Sequence, residues 1–151
     1  MDRFRIMRLW LLVDCLAMIG LGILMVFFPH SAVLAPVGEP VNEAFWPGQA
    51  VPLPVVRYQR WAYGTWGATV AGMSIFGLGL VLRGFSDGRK WARDTLAAGV
   101  LVWFTLDTWV SLASGVDANA IFNTLILVAF GIPLVLTWRD FGGLRRQEEG
   151  S

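Results

Sequence analysis

The chain has 151 residues, 56% hydrophobic and 15% charged, whereas soluble domains run roughly 45–50% apolar and about 25% charged. That balance, with a mean hydropathy of +0.58, excludes disorder and disfavours a water-soluble globule. A net charge of +1 gives no pull toward nucleic acid; one Cys and one His exclude a disulfide framework and leave too few soft ligands for a zinc or haem site, so neither metal nor cofactor is expected.

A membrane helix needs about 20 mostly apolar residues, because the hydrocarbon core is roughly 30 Å thick. Four stretches meet that test: 9–28 with one charge, Asp14; 61–82 with none; 95–114 with one, Asp107; and 118–138 with none. The apolar residues of the second and fourth stretches do not gather on one face, so these stretches have no polar side to turn to water. The first also resembles a secretory leader. Its apolar run is long, Asp14 interrupts it, and the small-residue site at 33–35 is followed by Pro36, so an uncleaved helix is expected. The predicted fold is an all-α integral membrane four-helix bundle, one membrane domain over 1–151.

Charge predicts orientation, because basic residues favour the cytoplasmic side. Arg3, Arg5 and Arg8 precede the first span. Arg83, Arg89, Lys90 and Arg93 join the second and third, and Arg139, Arg145 and Arg146 follow the fourth. Only Arg57 and Arg60 stand on the opposite side. Both termini are therefore expected in the cytoplasm, with 139–151 as a cytoplasmic tail. Trp10, Trp91 and Trp138 fall near that boundary, and Trp46 and Trp61 near the other, as amphipathic indoles do.

The segment 29–56 is the one long connection and is expected on the outer side. Pro29, Pro36, Pro40, Pro47, Pro52 and Pro54 exclude a long helix. The run 40–46 suits one short helix, with Pro40 in its first turn and Pro47-Gly48 as its stop. The loop reads as a spacer anchored at the interface by Phe45 and Trp46, or as a lid or partner-binding surface.

Small residues predict close helix packing. Gly64, Ala68 and Gly72 recur every four residues of the second span, with Gly67 and Ala71 as a parallel ridge. This span is expected at the centre of the bundle, packing within the chain or, alternatively, against a second subunit.

A carboxylate inside the membrane costs roughly 2.5–3.5 kcal/mol on insertion scales, so it has a partner or a purpose. Asp107 shares a helix face with Ser111, and Asn119 shares one with Asn123 on the next span. With Arg57 or Arg60 these predict an outer polar cluster, either a structural ion pair or a pocket for a small molecule, lipid or ion. Asp14 is expected to form an inner ion pair with Arg83 or Arg93, or with Arg8 snorkelling toward it. No chain of titratable groups joins the two carboxylates, so a proton path is not expected.

No nucleophile–base arrangement is present, and no glycine loop ends in Lys-Ser or Lys-Thr. The pattern Gly88-Arg89-Lys90-Trp91-Ala92, Trp103-Phe104, Asp107-Thr108, Ser111, Gly115, Asn119, Asn123, Pro133-Leu134 and Trp138-Arg139-Asp140-Phe141 resembles small bacterial four-span inner-membrane proteins of an uncharacterised family. That resemblance covers the last half to two-thirds of the chain and implies a plasma-membrane bundle without implying an activity. Arginine supplies all but one of the 12 basic residues, as in chains from GC-rich bacterial genomes. The expected function is that of a non-catalytic accessory or interaction subunit, in contact with lipid and with other membrane subunits or a second copy. The alternative is a small-molecule, lipid or ion binding or transport protein built around Asp107.

Overall fold

The structure, a computed structural model, describes residues 3–141. Arg145, Arg146 and most of the expected tail lie outside the described residues. The described chain forms α1 (Arg3–Phe27), α2 (Ala35–Phe45), α3 (Leu53–Leu80), α4 (Lys90–Ala113) and α5 (Asp117–Thr137). A π-helical turn, Val81–Phe85, continues α3. Among the described residues there is no strand. Four helices are long and apolar enough to cross a membrane: α1, α3 with its π turn, α4 and α5. The molecule is all-helical and suited to a multi-pass membrane protein.

Proline sets two boundaries differently from the sequence expectation. The second span begins at Leu53 rather than at 61, because Pro52 caps α3 and Pro54 occupies its first turn, where a missing N–H costs nothing. Arg57 and Arg60 are thereby helical. The short helix begins at Ala35 rather than at 40, with Pro36 in its first turn and Pro40 inside it. The amides of Val37 and Gly38 both donate to the Leu34 carbonyl to start it.

The hub of the bundle is α1 rather than the second span. It packs along α3 and also against α5; α4 packs on α5, and α3 and α4 barely touch. The expectation that Gly64, Ala68 and Gly72 pack within the chain is corrected in the same way. A β-carbon at Gly64 or Gly72 would meet nothing within 4 Å, and Ala68 is exposed. The neighbouring ridge makes the contact instead. A β-carbon on Gly67 would lie 2.6 Å from the Gly22 carbonyl oxygen, and one on Gly22 would lie 2.7 Å from the Ala71 nitrogen. Gly22, on α1, decides which of the two ridges is used, because only a glycine there lets the backbones approach.

The two ends of the described chain meet. Arg3 bridges Asp140 at 2.8 Å. Behind that ion pair, Phe4, Phe85 and Phe141 form a trio, Phe4 stacked on Phe85 at 5.3 Å and Phe85 edge-on to Phe141 at 4.7 Å. The π turn supplies Phe85 and Val81, both fully buried. Its widened register leaves the Val81 carbonyl to accept from the Ser86 hydroxyl at 2.8 Å. The core runs inward from this terminal end through Leu11, Cys15, Leu96, Phe130 and Leu134.

Candidate functional site

The α4–α5 junction carries a compact polar cluster. Asp107 Oδ1 accepts from Asn119 Nδ2 and Asn123 Nδ2, both at 2.8 Å; the Ser111 hydroxyl donates to the Asp107 backbone carbonyl at 2.7 Å and lies 3.3 Å from Oδ1. Asn119 Nδ2 also donates to Ser111 Oγ at 2.7 Å, and Asn123 Nδ2 to Thr108 Oγ1 at 3.2 Å. The tight turn at 114–116, with Gly115 at φ 73°, folds α5 back on α4 so that the two polar faces meet. Every donor on Asp107 is a neutral amide or hydroxyl. Such bonds stitch two helices together where no water competes for the donors.

The arginines expected there stand apart. Arg57 and Arg60 are exposed at the start of α3 and form no ion pair with Asp107. They stand two residues before and one after Gln59, which is buried and donates from Nε2 to Asn42 Oδ1 at 2.8 Å. This bond latches α2 to α3. The reason for the correction is rotational: each helical residue turns about 100° from the last, so burying Gln59 leaves Arg60 about 100° and Arg57 about 160° from the buried direction.

Beneath α2 lies a cavity of about 40 Å3 walled by all four spans. Met18 of α1, Trp66 of α3, Trp103 of α4 and Phe122 of α5 line it, and Leu34 and Val37 close its α2 side. Two polar residues, Tyr63 and Asn123, are among those lining it. The Tyr63 hydroxyl is buried without a hydrogen-bond partner. Asn123 is only 1% exposed and spends its Nδ2 on Asp107 and Thr108, so no protein group uses its Oδ1. Sequence reading missed Tyr63, Gln59 and Asn42. A lone Tyr among span aromatics carries no signal, whereas a Gln between two arginines near a span end does mark a position worth pairing.

The expected inner ion pair is not formed. Arg93, 7% exposed, bonds Asp94 Oδ1 at 2.6 Å and the Trp138 carbonyl at 2.8 Å, and lies 3.8 Å over the Trp138 ring. It therefore caps α5 rather than serving Asp14. Arg83 is exposed. Asp14 is half-buried beside Trp10, Val13, Leu9 and Ile6 of α1; the Trp10 side chain hydrogen-bonds its carboxyl, while its Oδ2 is buried without a partner. With Leu11 and Cys15 in the core, Asp14 stands about 60° and 100° from them around the helix, at the edge of the buried face.

Among the described residues no group of three His, Cys, Asp or Glu side chains is arranged to hold a metal ion. Comparison with protein-family models, curated protein sequences and solved structures found no match.

Proposed function

We propose that this protein is a non-catalytic accessory subunit of a bacterial plasma-membrane complex that docks through the outward face of α1. The observation that carries this reading is Asp14, half-buried at the edge of that face, with the Trp10 side chain bonding its carboxyl and its Oδ2 left without a hydrogen-bond partner. A carboxylate at this depth costs roughly 2.5–3.5 kcal/mol when nothing answers it, and a donor or cation on a neighbouring span offsets that cost. The surrounding side chains suit a helix partner. Ile6, Leu9, Val13, Leu16, Gly20 and Ile23 are all exposed and repeat at alternating steps of three and four, the seam spacing of packed helices. The arginine distribution supports both termini on the cytoplasmic side, so that Asp14 lies in the inner leaflet and α2 on the outer surface.

Site-specific photo-crosslinking in native membranes tests the docking reading. A crosslinker at Val13 captures a protein neighbour, one at Leu125 on the exposed face of α5 captures only lipid, and Asp14→Ala abolishes the Val13 adduct. A lone monomer in mild detergent with no adduct at either position rejects it. The second reading, ligand binding around Asp107, draws on one observation: Asn123, bonded to Asp107, is among the residues lining the cavity.

A further inference from the structure

We infer that the outward side of α3 binds one anionic phospholipid, its phosphate held by Arg57 and Arg60 and an acyl chain lying along Gly64, Ala68 and Gly72. The inference is independent of docking through α1. It also takes the same form whichever way the chain is threaded. Charge, surface relief and length lead to it.

Arg57 and Arg60 are the only basic Lys or Arg residues between Arg8 and Arg83. Both are exposed, and among the described residues the ion pairs are Arg3 with Asp140 and Arg93 with Asp94. Glu39 and Glu43 of α2 are exposed as well, and no ion pair joins them to either arginine. Residues three apart on a helix have β-carbons about 5–6 Å apart, so two guanidiniums can close on one anion. The planar guanidinium fork matches phosphate oxygens. Tyr58 and Trp61, 63% and 64% exposed, stand beside them with ring centroids 5.9 Å apart. Such amphipathic rings mark the headgroup level of a bilayer, where the abundant anion is lipid phosphate.

Below the arginines the helix surface is bare. A β-carbon on Gly64 or Gly72 would meet nothing within 4 Å, and Ala68 is exposed. Gly64 lies one turn beyond Arg60, about 40° around from it and about 20° from Arg57. The strip therefore starts beneath both guanidiniums. The flanking hydroxyls offer it no polarity: Thr65 donates to the Trp61 and Ala62 carbonyls and Thr69 to that of Thr65.

From Gly64 to Gly72 the strip is about 12 Å long, at 1.5 Å per residue. One leaflet of hydrocarbon is about 15 Å, half of the roughly 30 Å core. Ile75 and Phe76, 57% and 68% exposed, then stand out and end the bare surface. An acyl chain beneath a phosphate needs one leaflet only. A second copy, related by a two-fold axis along the bilayer normal, would set Arg57 and Arg60 against their own counterparts.

The test is native mass spectrometry of the full-length protein, with phosphatidylglycerol and phosphatidylcholine of identical acyl chains as probes. One phosphatidylglycerol is expected to stay bound under activation that strips phosphatidylcholine. A phosphatidylglycerol with a diazirine on its upper acyl chain should label 61–76 saturably. Arg57→Gln with Arg60→Gln weakens retention about tenfold or more, as two charge-assisted donors are lost. Arg83→Gln with Arg89→Gln leaves it unchanged. Ala68→Trp, an exposed position, blocks the labelling in a protein that still unfolds cooperatively. Asp14→Ala does not alter the labelling, which separates this inference from the docking proposal. Equal retention of the two lipids overturns the inference, as does retention indifferent to the Arg57 and Arg60 changes. An equal loss in the Arg83 and Arg89 variant would reduce it to general charge attraction. Displacement by inorganic phosphate would replace the lipid with a free anion, and a photo-crosslinker at Ala68 that captures a second copy would replace it with a protein; either result overturns it.

Discussion

At Gly67 the backbones of α1 and α3 pass so closely that a single added carbon has no room, whereas at Gly64, one turn away on the same helix, it meets nothing within 4 Å. The two positions therefore respond oppositely to one substitution. Gly67→Ala forces the helices apart and costs about 1–3 kcal/mol. Gly64→Ala gains up to about 1 kcal/mol from helix propensity alone. Unfolding of both variants in mixed micelles gives the comparison, and a Gly67→Ala protein as stable as its parent contradicts the packing. The Asp107 cluster makes a second residue-scale contrast. Oδ1 takes every hydrogen bond and Oδ2 takes none, so Asp107→Asn keeps the acceptor that matters. Asp107→Leu strands the amides of Asn119 and Asn123 and costs about 1–3 kcal/mol. The same unfolding measurement should rank Leu well below Asn. The four-residue spacings of Asp107 with Ser111 and of Asn119 with Asn123 were legible in the chain. The absence of Arg57 and Arg60 from that group was not, because helix phase is set by what each turn buries, and burial is a property of the neighbours.

Among the elements, α2 depends most on contacts remote in sequence. Its 11 residues carry two prolines and no buried side chain, too short and too interrupted a helix to persist alone. The bond from Gln59 to Asn42 is its latch to α3. Gln59→Leu removes the donor at a cost of about 1 kcal/mol. The expected outcome is faster hydrogen exchange across α2 with the four spans unchanged; uniform exchange would mean that α2 is held elsewhere. The π turn is the other element that no periodicity announced. The extra residue in its turn sets Phe85 between Phe4 and Phe141 while Gly84 takes the Ala92 and Trp91 side chains against its backbone. The energetic return is tertiary, so the local sequence carries no mark of it.

For the molecule as a whole, the proposed orientation makes a labelling prediction. Cysteines placed singly at Asp87 and at Gln49, in a Cys15→Ser background, should react with a membrane-impermeant maleimide from opposite faces of the membrane, Gln49 from outside and Asp87 only after permeabilisation. Both residues are exposed, so a failed reaction cannot be assigned to burial. Labelling of both from one side would overturn the four-span threading.

Existence and approximate extent of the four long helices followed from the chain alone, because a run of about 20 apolar residues has few other stable fates. So did the exclusion of a disulfide framework within the chain, because it has a single cysteine. Only the folded arrangement chose α1 over the second span as the hub, Gly67 over Gly64 as the contact, and Asp94 and Trp138 over Asp14 as the partners of Arg93. Those choices turn on which faces lie opposite one another. Apolar helices in lipid have no polar side to declare their rotation, so close fit and hydrogen bonding between spans decide it.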